Sequence, residues 1–359
     1  MRLGIIGLPK CGKTAVFNAV VGPHKERHAP THAAVQNIAV VKIPDERLDF
    51  LKDLFPEKRS TPTTIELLEL HGVFPSPWEV LPEAAASVAL LREMDAIVEV
   101  VRAFPDPDIP HPKGSVDPQR DINDMDQELI LNDLLATDKR IEKLKKSITK
   151  PSPTQQRDKE ELEILLRCKE TLEKNQEITD VPLSPDQKKI IKGFCFLTEK
   201  HRIAVVNIGE NQIGQELNLS KIDTRARDVV AFCAKLESEM WELEEAERVQ
   251  FQKEWGITEP AGPKLLKACY HALDLVSFYT IEGEEMRVWP LPRGETALAA
   301  AGKIHSDIAR GFIKAEVVSL QDLKALGSLK EVKTHGKLHL VSKDYIVQDG
   351  DIITFRFHV

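Results

Sequence analysis

Short apolar runs alternate with amphipathic stretches along the first hundred residues, which predicts a mainly parallel sheet flanked by helices. Residues 3–6 are a fully apolar run that stops at Gly7, and residues 14–21 continue with helical character. A buried strand, a tight glycine-bearing loop and a helix therefore come first. Residues 22–37 are polar, rich in His and Pro and without period, and read as a loop. Residues 37–43, 64–70 and 95–101 read as further strands, with an Ala- and Leu-rich helix over residues 83–92.

The texture changes after Arg102. Prolines 105, 107, 110, 112 and 118 make residues 104–118 an irregular crossing segment. A long charged helix follows over residues 121–148, with Ile122, Met125, Leu129, Ile141, Leu144 and Ile148 at three–four spacing. Pro151 and Pro153 break it, and residues 158–172 return as a second amphipathic helix through Leu162, Leu165, Leu166 and Leu172. Together they predict an antiparallel helical hairpin. Ser184, Pro185 and Gln187 form a capping-box start for another helix. Residues 201–207 then read as a buried strand, so the first domain resumes after an insertion. Residues 229–234 are a further strand candidate and residues 263–276 an amphipathic helix. Beyond residue 277, strands at 278–281 and 286–291 flank Glu282-Gly283-Glu284, a helix is expected over 296–310, and strands at 312–318 and 352–357 close the chain. That order suits a ubiquitin-like β-grasp sheet. The predicted fold is α/β, with a first domain of mainly parallel sheet over residues 1–113 and 200–276, a helical arm over 114–199 and a β-grasp domain over 277–359.

Composition changes this picture little. The chain has 359 residues and a net charge of −8, which argues against a bulk polyanion binder, and no DNA partner is expected. No apolar stretch approaches a membrane span, and Met1-Arg2-Leu3-Gly4 runs directly into the first strand, so a cytoplasmic protein is expected. The five cysteines are scattered and never spaced C-x-x-C, as reduced thiols would be.

The chemistry concentrates at Gly7-Leu8-Pro9-Lys10-Cys11-Gly12-Lys13-Thr14, which satisfies G-x-x-x-x-G-K-[ST] between a strand and a helix. Glycines let backbone N–H groups, here of Lys10, Cys11 and Gly12 after Pro9, curl around phosphates, and the helix start adds its positive end. Lys13 is expected to reach the β- and γ-phosphates and Thr14 to ligate Mg²⁺.

With the hairpin insertion and the C-terminal segment, these residues resemble the Obg-like ATPases of the YchF type over essentially the whole chain. Gly302-Lys303-Ile304-His305-Ser306-Asp307, Arg310-Gly311-Phe312-Ile313-Lys314-Ala315-Glu316-Val317 and Asp344-Tyr345-Ile346-Val347-Gln348-Asp349-Gly350-Asp351 are similar to that family's TGS domain. Pro44-Asp45-Glu46-Arg47-Leu48 resembles the segment after its first switch. The resemblance implies a P-loop GTPase-like domain, ATP binding and hydrolysis, and association with ribosomes. GTPases of this type carry N-K-x-D, whose acid holds guanine; here Asn207-Ile208-Gly209-Glu210 lacks the Lys and has a longer acid. ATP is therefore expected over GTP, with the Asn207 amide free to pair with adenine. Ala234 and Lys235 occupy the last base-contacting loop.

Two positions depart from the family. The switch threonine falls on Ala33, with Thr31 nearby, and the acid of D-x-x-G becomes Glu69 in Glu69-Leu70-His71-Gly72. Val73 stands where other GTPases place a catalytic Gln, leaving His71 as the candidate to orient water. Lys13, Glu69 and His71 are the catalytic candidates of an Mg²⁺-dependent ATPase. A nucleotide-sensing protein with negligible hydrolysis, or an RNA-docking scaffold, are the alternatives that Ala33 and Glu69 leave open.

Three weaker patterns remain. His24, His28 and His32 recur every four residues, but Pro30 interrupts the run, favouring a loop over a metal site. Cys11, between Lys10 and Lys13, stands where a thiol pKa would be lowered. Lys303, His305, Arg310 and Lys314 are candidates for a basic patch facing ribosomal RNA.

Overall fold

A computed structural model describes residues 1–22, 27–28, 34–74, 84–149, 151–215 and 222–358. Its contacts divide the chain into two compact units, Met1–Val40 with Glu66–Cys269 and Val41–Ile65 with Tyr270–Val359.

The larger unit is built on a seven-stranded sheet in the spatial order 27–28, 35–42, 64–70, 2–7, 96–102, 201–207 and 228–232. Strand Arg2–Gly7 runs parallel to Thr64–Leu70 and to Ala96–Arg102, which continues in parallel register to His201–Asn207 and then Asp228–Phe232. Such strands are covered on both faces and read as nearly continuous apolar runs, which is why residues 3–6, 96–101 (broken only by Glu99) and 203–206 stood out. Their common direction brings Gly7, Glu69, Arg102, Asn207 and Phe232 towards one edge, where open α/β sheets bind ligands.

Between strands Ala96–Arg102 and His201–Asn207, helices Pro118–Ser147 and Gln155–Glu173 form the expected hairpin. Asp117 caps the first helix by accepting from the Arg120 amide, with Pro118 in the first turn. The pairs Ser147–Asp158, Arg140–Glu161 and Asp138–Lys169 descend one helix while climbing the other, so the two are antiparallel. Ile141, Leu144, Ile164, Leu165, Cys168 and Leu172 fill the seam. Leu166, read with that seam, instead faces outward at 44% exposure.

The smaller unit carries a mixed six-stranded sheet in the order 339–341, 312–319, 351–357, 275–282, 285–292 and 59–61. Helix Ala297–Ile304 covers one face over Phe278, Leu291, Ala315, Ile353 and Phe355. Helix Glu46–Leu54 covers the other with Leu48 and Leu51 against Tyr279, Met286, Val288 and Ile352. The tyrosine hydroxyl of Tyr279 donates to Asp45 at 2.6 Å, fixing the start of that helix.

The boundary thus differs from the one expected at residue 277. Residues 41–65, read with the nucleotide-binding domain, group with the C-terminal sheet because Arg59–Thr61 pairs in parallel with Glu285–Pro292. The arm stays with the larger unit, held by Asp133, which is fully buried and accepts from the Arg92 guanidinium at 2.8 Å.

Several elements also depart from expectation. The helix read over 263–276 is Ala261–Ala272, and Leu275–Glu282 is already strand. The helix expected over 296–310 breaks at His305, whose extended backbone and ring nitrogen, accepting from the Asp307 amide, cap a second helix at Ser306–Arg310. The loop read over 22–37 includes strand residues from Val35 onward and the short strand Arg27–His28. Helices Ala234–Met240, Glu245–Glu254, Leu320–Leu326 and Leu329–Thr334 had no reading in the sequence. Among the described residues no helix is long and apolar enough to cross a membrane.

Candidate nucleotide site

The first strand ends at Gly7 and helix Lys13–Val21 begins after Gly12, with Lys10 and Gly12 both at positive φ (64° and 94°). Glycine is required at position 12 twice over: that backbone favours it, and an added Cβ would sit 2.2 Å from the Asn207 amide nitrogen. At Gly7 a Cβ would fall 2.5 Å from the Val100 carbonyl oxygen. The helix has no side-chain cap and no acid in its first turn, so its positive end points into the loop uncompensated. Lys13 Nζ donates to the carbonyls of Gly7 and Leu8 at 3.0 and 3.2 Å, which centres the ammonium in the loop's own curve.

Beside the loop, the Thr14 hydroxyl donates to Glu69 Oε1 at 2.6 Å. Glu69 is fully buried, and its other oxygen accepts from the Asn37 amide at 2.7 Å. The extra methylene relative to aspartate lets this carboxylate reach the threonine directly. Asn37 escaped the sequence reading because nothing marks an Asn near the start of a strand. His71 follows the end of that strand, half-buried, with its backbone N–H donating to the Ala34 carbonyl at 3.1 Å. Ala33, Thr31, His24 and His32 lie outside the described residues, as do residues 75–78 after Val73 and Phe74.

On the other side of the loop opens a cavity of about 620 Å³, within the range that takes a small organic ligand. Lys10, Gly12 and Ala15 line it from the phosphate loop, and Asn207, Ile208, Gly209, Glu210, Cys233 and Lys235 from the two loops read as base-contacting. Phe104, Asp106 and Ile109 form a further wall that the sequence reading passed over as a proline-rich crossing.

Asn207 corrects an expectation. Its amide nitrogen donates to the Cys11 carbonyl at 3.1 Å and its amide oxygen accepts from the Ala234 N–H at 3.1 Å. Only 3% exposed, it fastens the phosphate loop to the last loop rather than standing free to read a base. Ile208 is tied to the Phe232 carbonyl, and the Gly209 amide to Gln212 Oε1 at 2.7 Å. Glu210 accepts from Lys235 Nζ at 3.0 Å across the mouth. Pro9 and Lys10 form the outer side of the loop.

Cys11 corrects a second expectation. It is 2% exposed, and burial pushes its thiol above the ordinary value although Lys13 pulls the other way. The basic patch is solvent-exposed at Lys303, His305, Arg310 and Lys314, with Asp307 beside both His305 and Arg310.

Thr14 and Glu69 present adjacent hard oxygens, the donor chemistry Mg²⁺ accepts when phosphate and water complete its shell. Among the described residues no cluster of three His, Cys, Asp or Glu side chains could hold a metal unaided.

Residues 275–358 match the family model YchF-GTPase_C, described as a protein of unknown function (DUF933). Over its full length the chain is 38% identical to the ribosome-binding ATPase YchF of Bacillus subtilis, covering 100% of both. It is 34% identical to the protein of the same name from Escherichia coli O157:H7, covering 100% of this chain and 99% of that one. Among solved structures, the Schizosaccharomyces pombe YchF GTPase superposes with a TM-score of 0.82 at 28% identity, covering 99% of this chain and 97% of that one.

Proposed function

This chain belongs to the YchF family, and from that premise we propose that it binds ATP with Mg²⁺ and acts on the ribosome as a nucleotide-governed switch in the cytoplasm. The observation that carries the reading is the Lys13–Thr14–Glu69 cluster on one side of the phosphate loop with a base-sized cavity on the other. Lys13 holds a phosphate tail as a point charge, and the amides that open the helix add N–H donors. Thr14 and Glu69 are the residues that would hold Mg²⁺, which on binding neutralises phosphate charge. The relatives' name, ribosome-binding ATPase, supports both the nucleotide and the partner.

ATP is favoured over GTP because Glu210, the residue in the place of the guanine-binding acid, is engaged by Lys235. Phe104, Ile109 and Ile208 give the cavity apolar walls on which any purine can lie. Hydrolysis is proposed to be slow. The Thr14 hydroxyl donates to Glu69 at 2.6 Å and keeps its lone pairs for a metal, but Val73, apolar where other GTPases place a Gln, brings nothing to orient an attacking water. Val73 also favours a second reading, a nucleotide sensor with negligible turnover.

Phosphate release by the purified protein, compared with Lys13→Ala, separates the two. Release by the wild type that the variant loses supports an ATPase; equal release by both removes the enzyme. Calorimetric titration with ATP and GTP tests base choice, and tighter GTP binding overturns it. Ribosome pelleting in ATP and in ADP should differ for the wild type and not for Lys13→Ala.

A further inference from the structure

We propose that Arg102 is the positioning residue for the wall of the nucleotide cavity formed by residues 104–109, and thereby sets affinity for the base without touching it. The proposal rests on the reading that this cavity takes the base.

The wall begins as a problem of backbone chemistry. Pro105, Pro107 and Pro110 bring no N–H, so the stretch can neither wind into a helix nor join a sheet, and its carbonyls need donors from elsewhere. Arg102 supplies them. From the end of strand Ala96–Arg102 its Nε donates to the Phe104 carbonyl at 3.0 Å. One terminal nitrogen donates to the Ile109 carbonyl at 2.8 Å and the other to the Asp106 carbonyl at 3.3 Å. The guanidinium also lies over the Phe104 ring, 4.4 Å from its centroid.

Arg102 is 1% exposed. A buried guanidinium normally meets a carboxylate; here the hydrogen bonds found for it all end on main-chain carbonyls of one short segment. The rigid fork of five N–H groups suits that task, because three carbonyls at fixed angles hold the segment in one shape. Phe104, Asp106 and Ile109, whose carbonyls it gathers, line the cavity together with Pro105.

Two anchors bound the wall. At one end the Ala103 amide donates to the Asn207 carbonyl at 2.8 Å. At the other His111 Nε2 lies 2.9 Å from Asp121 Oδ2 at the start of the arm, and His111 Nδ1 accepts from the Lys113 amide at 3.1 Å. Between them Asp106 Oδ1 accepts from the Asp108 amide at 3.0 Å, closing a small side-chain turn. Without Arg102 the segment would stay tethered at both ends and lose its middle.

The test compares a ligand that has a base with one that has none. ATP and inorganic tripolyphosphate are titrated against the wild type, Arg102→Gln, Arg102→Lys and Lys13→Ala. Arg102→Gln is expected to weaken ATP by about ten- to a hundredfold, the range for losing charge-assisted buried hydrogen bonds, while tripolyphosphate is held as before. Arg102→Lys, keeping the charge but losing the fork, should fall between. Lys13→Ala should lose both ligands, and its failure to do so would sink the phosphate-loop reading while leaving the Arg102 comparison intact. Unchanged ATP binding by Arg102→Gln overturns the proposal. So does a parallel loss of ATP and tripolyphosphate, which would make Arg102 a general support of the fold. Should Arg102→Gln not fold, Arg102→Lys carries the test: ATP weakened with tripolyphosphate unchanged supports the proposal, and any other pattern overturns it.

Discussion

Two arginines end up almost equally buried in neighbouring parallel strands, and their surroundings could hardly differ more. Arg202 opens strand His201–Asn207 at 2% exposure, bonded to Asp126 and Glu177 of the arm, with Glu99 at 3.7 Å. Arg102 closes strand Ala96–Arg102 at 1% exposure with three carbonyls. At the amino end of the sheet, buried charge meets buried charge and fastens an inserted arm. At the carboxyl end, buried charge meets dipoles and shapes a loop. The first arrangement resists change in the fold; the second governs what the cavity accepts.

Removing Arg202 should have the largest effect. Arg202→Met leaves Asp126, Glu177 and Glu99 together without their shared cation. Unpairing a buried cluster costs on the order of 3–5 kcal/mol. Urea denaturation measures it, and a loss below about 1 kcal/mol would show that the arm is held chiefly by its apolar seam. Tripolyphosphate binding to the folded fraction should not change.

A smaller effect is expected at Glu99, which is fully buried with neither oxygen hydrogen-bonded. Burial pushes its carboxyl up to about 8, outweighing the pull of Arg202, while Asp126 and Glu177 push the same way. The folded state therefore keeps a proton that the unfolded chain releases near pH 4.5. The stability this group contributes is full below that point, declines as pH rises towards 8 and is flat beyond. Glu99→Gln should remove that slope and stabilise the protein at pH 9 by on the order of 1–2 kcal/mol. Parallel stability–pH curves for variant and wild type would contradict it.

The smallest effect is expected at the exposed Lys235–Glu210 pair. Lys235→Ala frees the Glu210 carboxylate at the cavity mouth, and the GTP-to-ATP affinity ratio should rise by roughly two- to fivefold, as befits a solvent-screened pair. A ratio that does not move would place base choice with the walls alone.

How far the sequence announced these features follows from the range of the interactions involved. The phosphate loop was legible because its chemistry is local: strand, glycine, Lys13 and Thr14 lie within a dozen residues. Glu69 could be placed because Glu69-Leu70-His71-Gly72 stands where the resembled family carries D-x-x-G. The base side was only half legible. Asn207, Glu210 and Lys235 were found at the ends of strands, yet the partners that decide Asn207's role, the Cys11 carbonyl and the Ala234 amide, belong to distant segments. Arg102 left one trace, a charged residue closing the all-apolar run 100–101, and its carbonyl partners carry no side-chain signature at all. Parallel strands announced themselves by composition. The three residues Arg59, Ser60 and Thr61 have no periodicity to betray that they form a sheet edge, and seven- or six-residue helices such as Leu320–Leu326 and Leu329–Thr334 are too short to show one.

The pairing of Arg59–Thr61 with Glu285–Pro292 has a consequence for anyone who would dissect the molecule genetically. A fragment that starts at residue 277 loses the amino end of strand Leu275–Glu282, an outer strand, and the helix bearing Leu48 and Leu51. Its sheet would show a raw hydrogen-bonding edge and bare Tyr279, Met286 and Val288 side by side, a surface that invites self-association. Splicing residues 41–65 back onto it through a short tether should restore a well-behaved, monodisperse polypeptide.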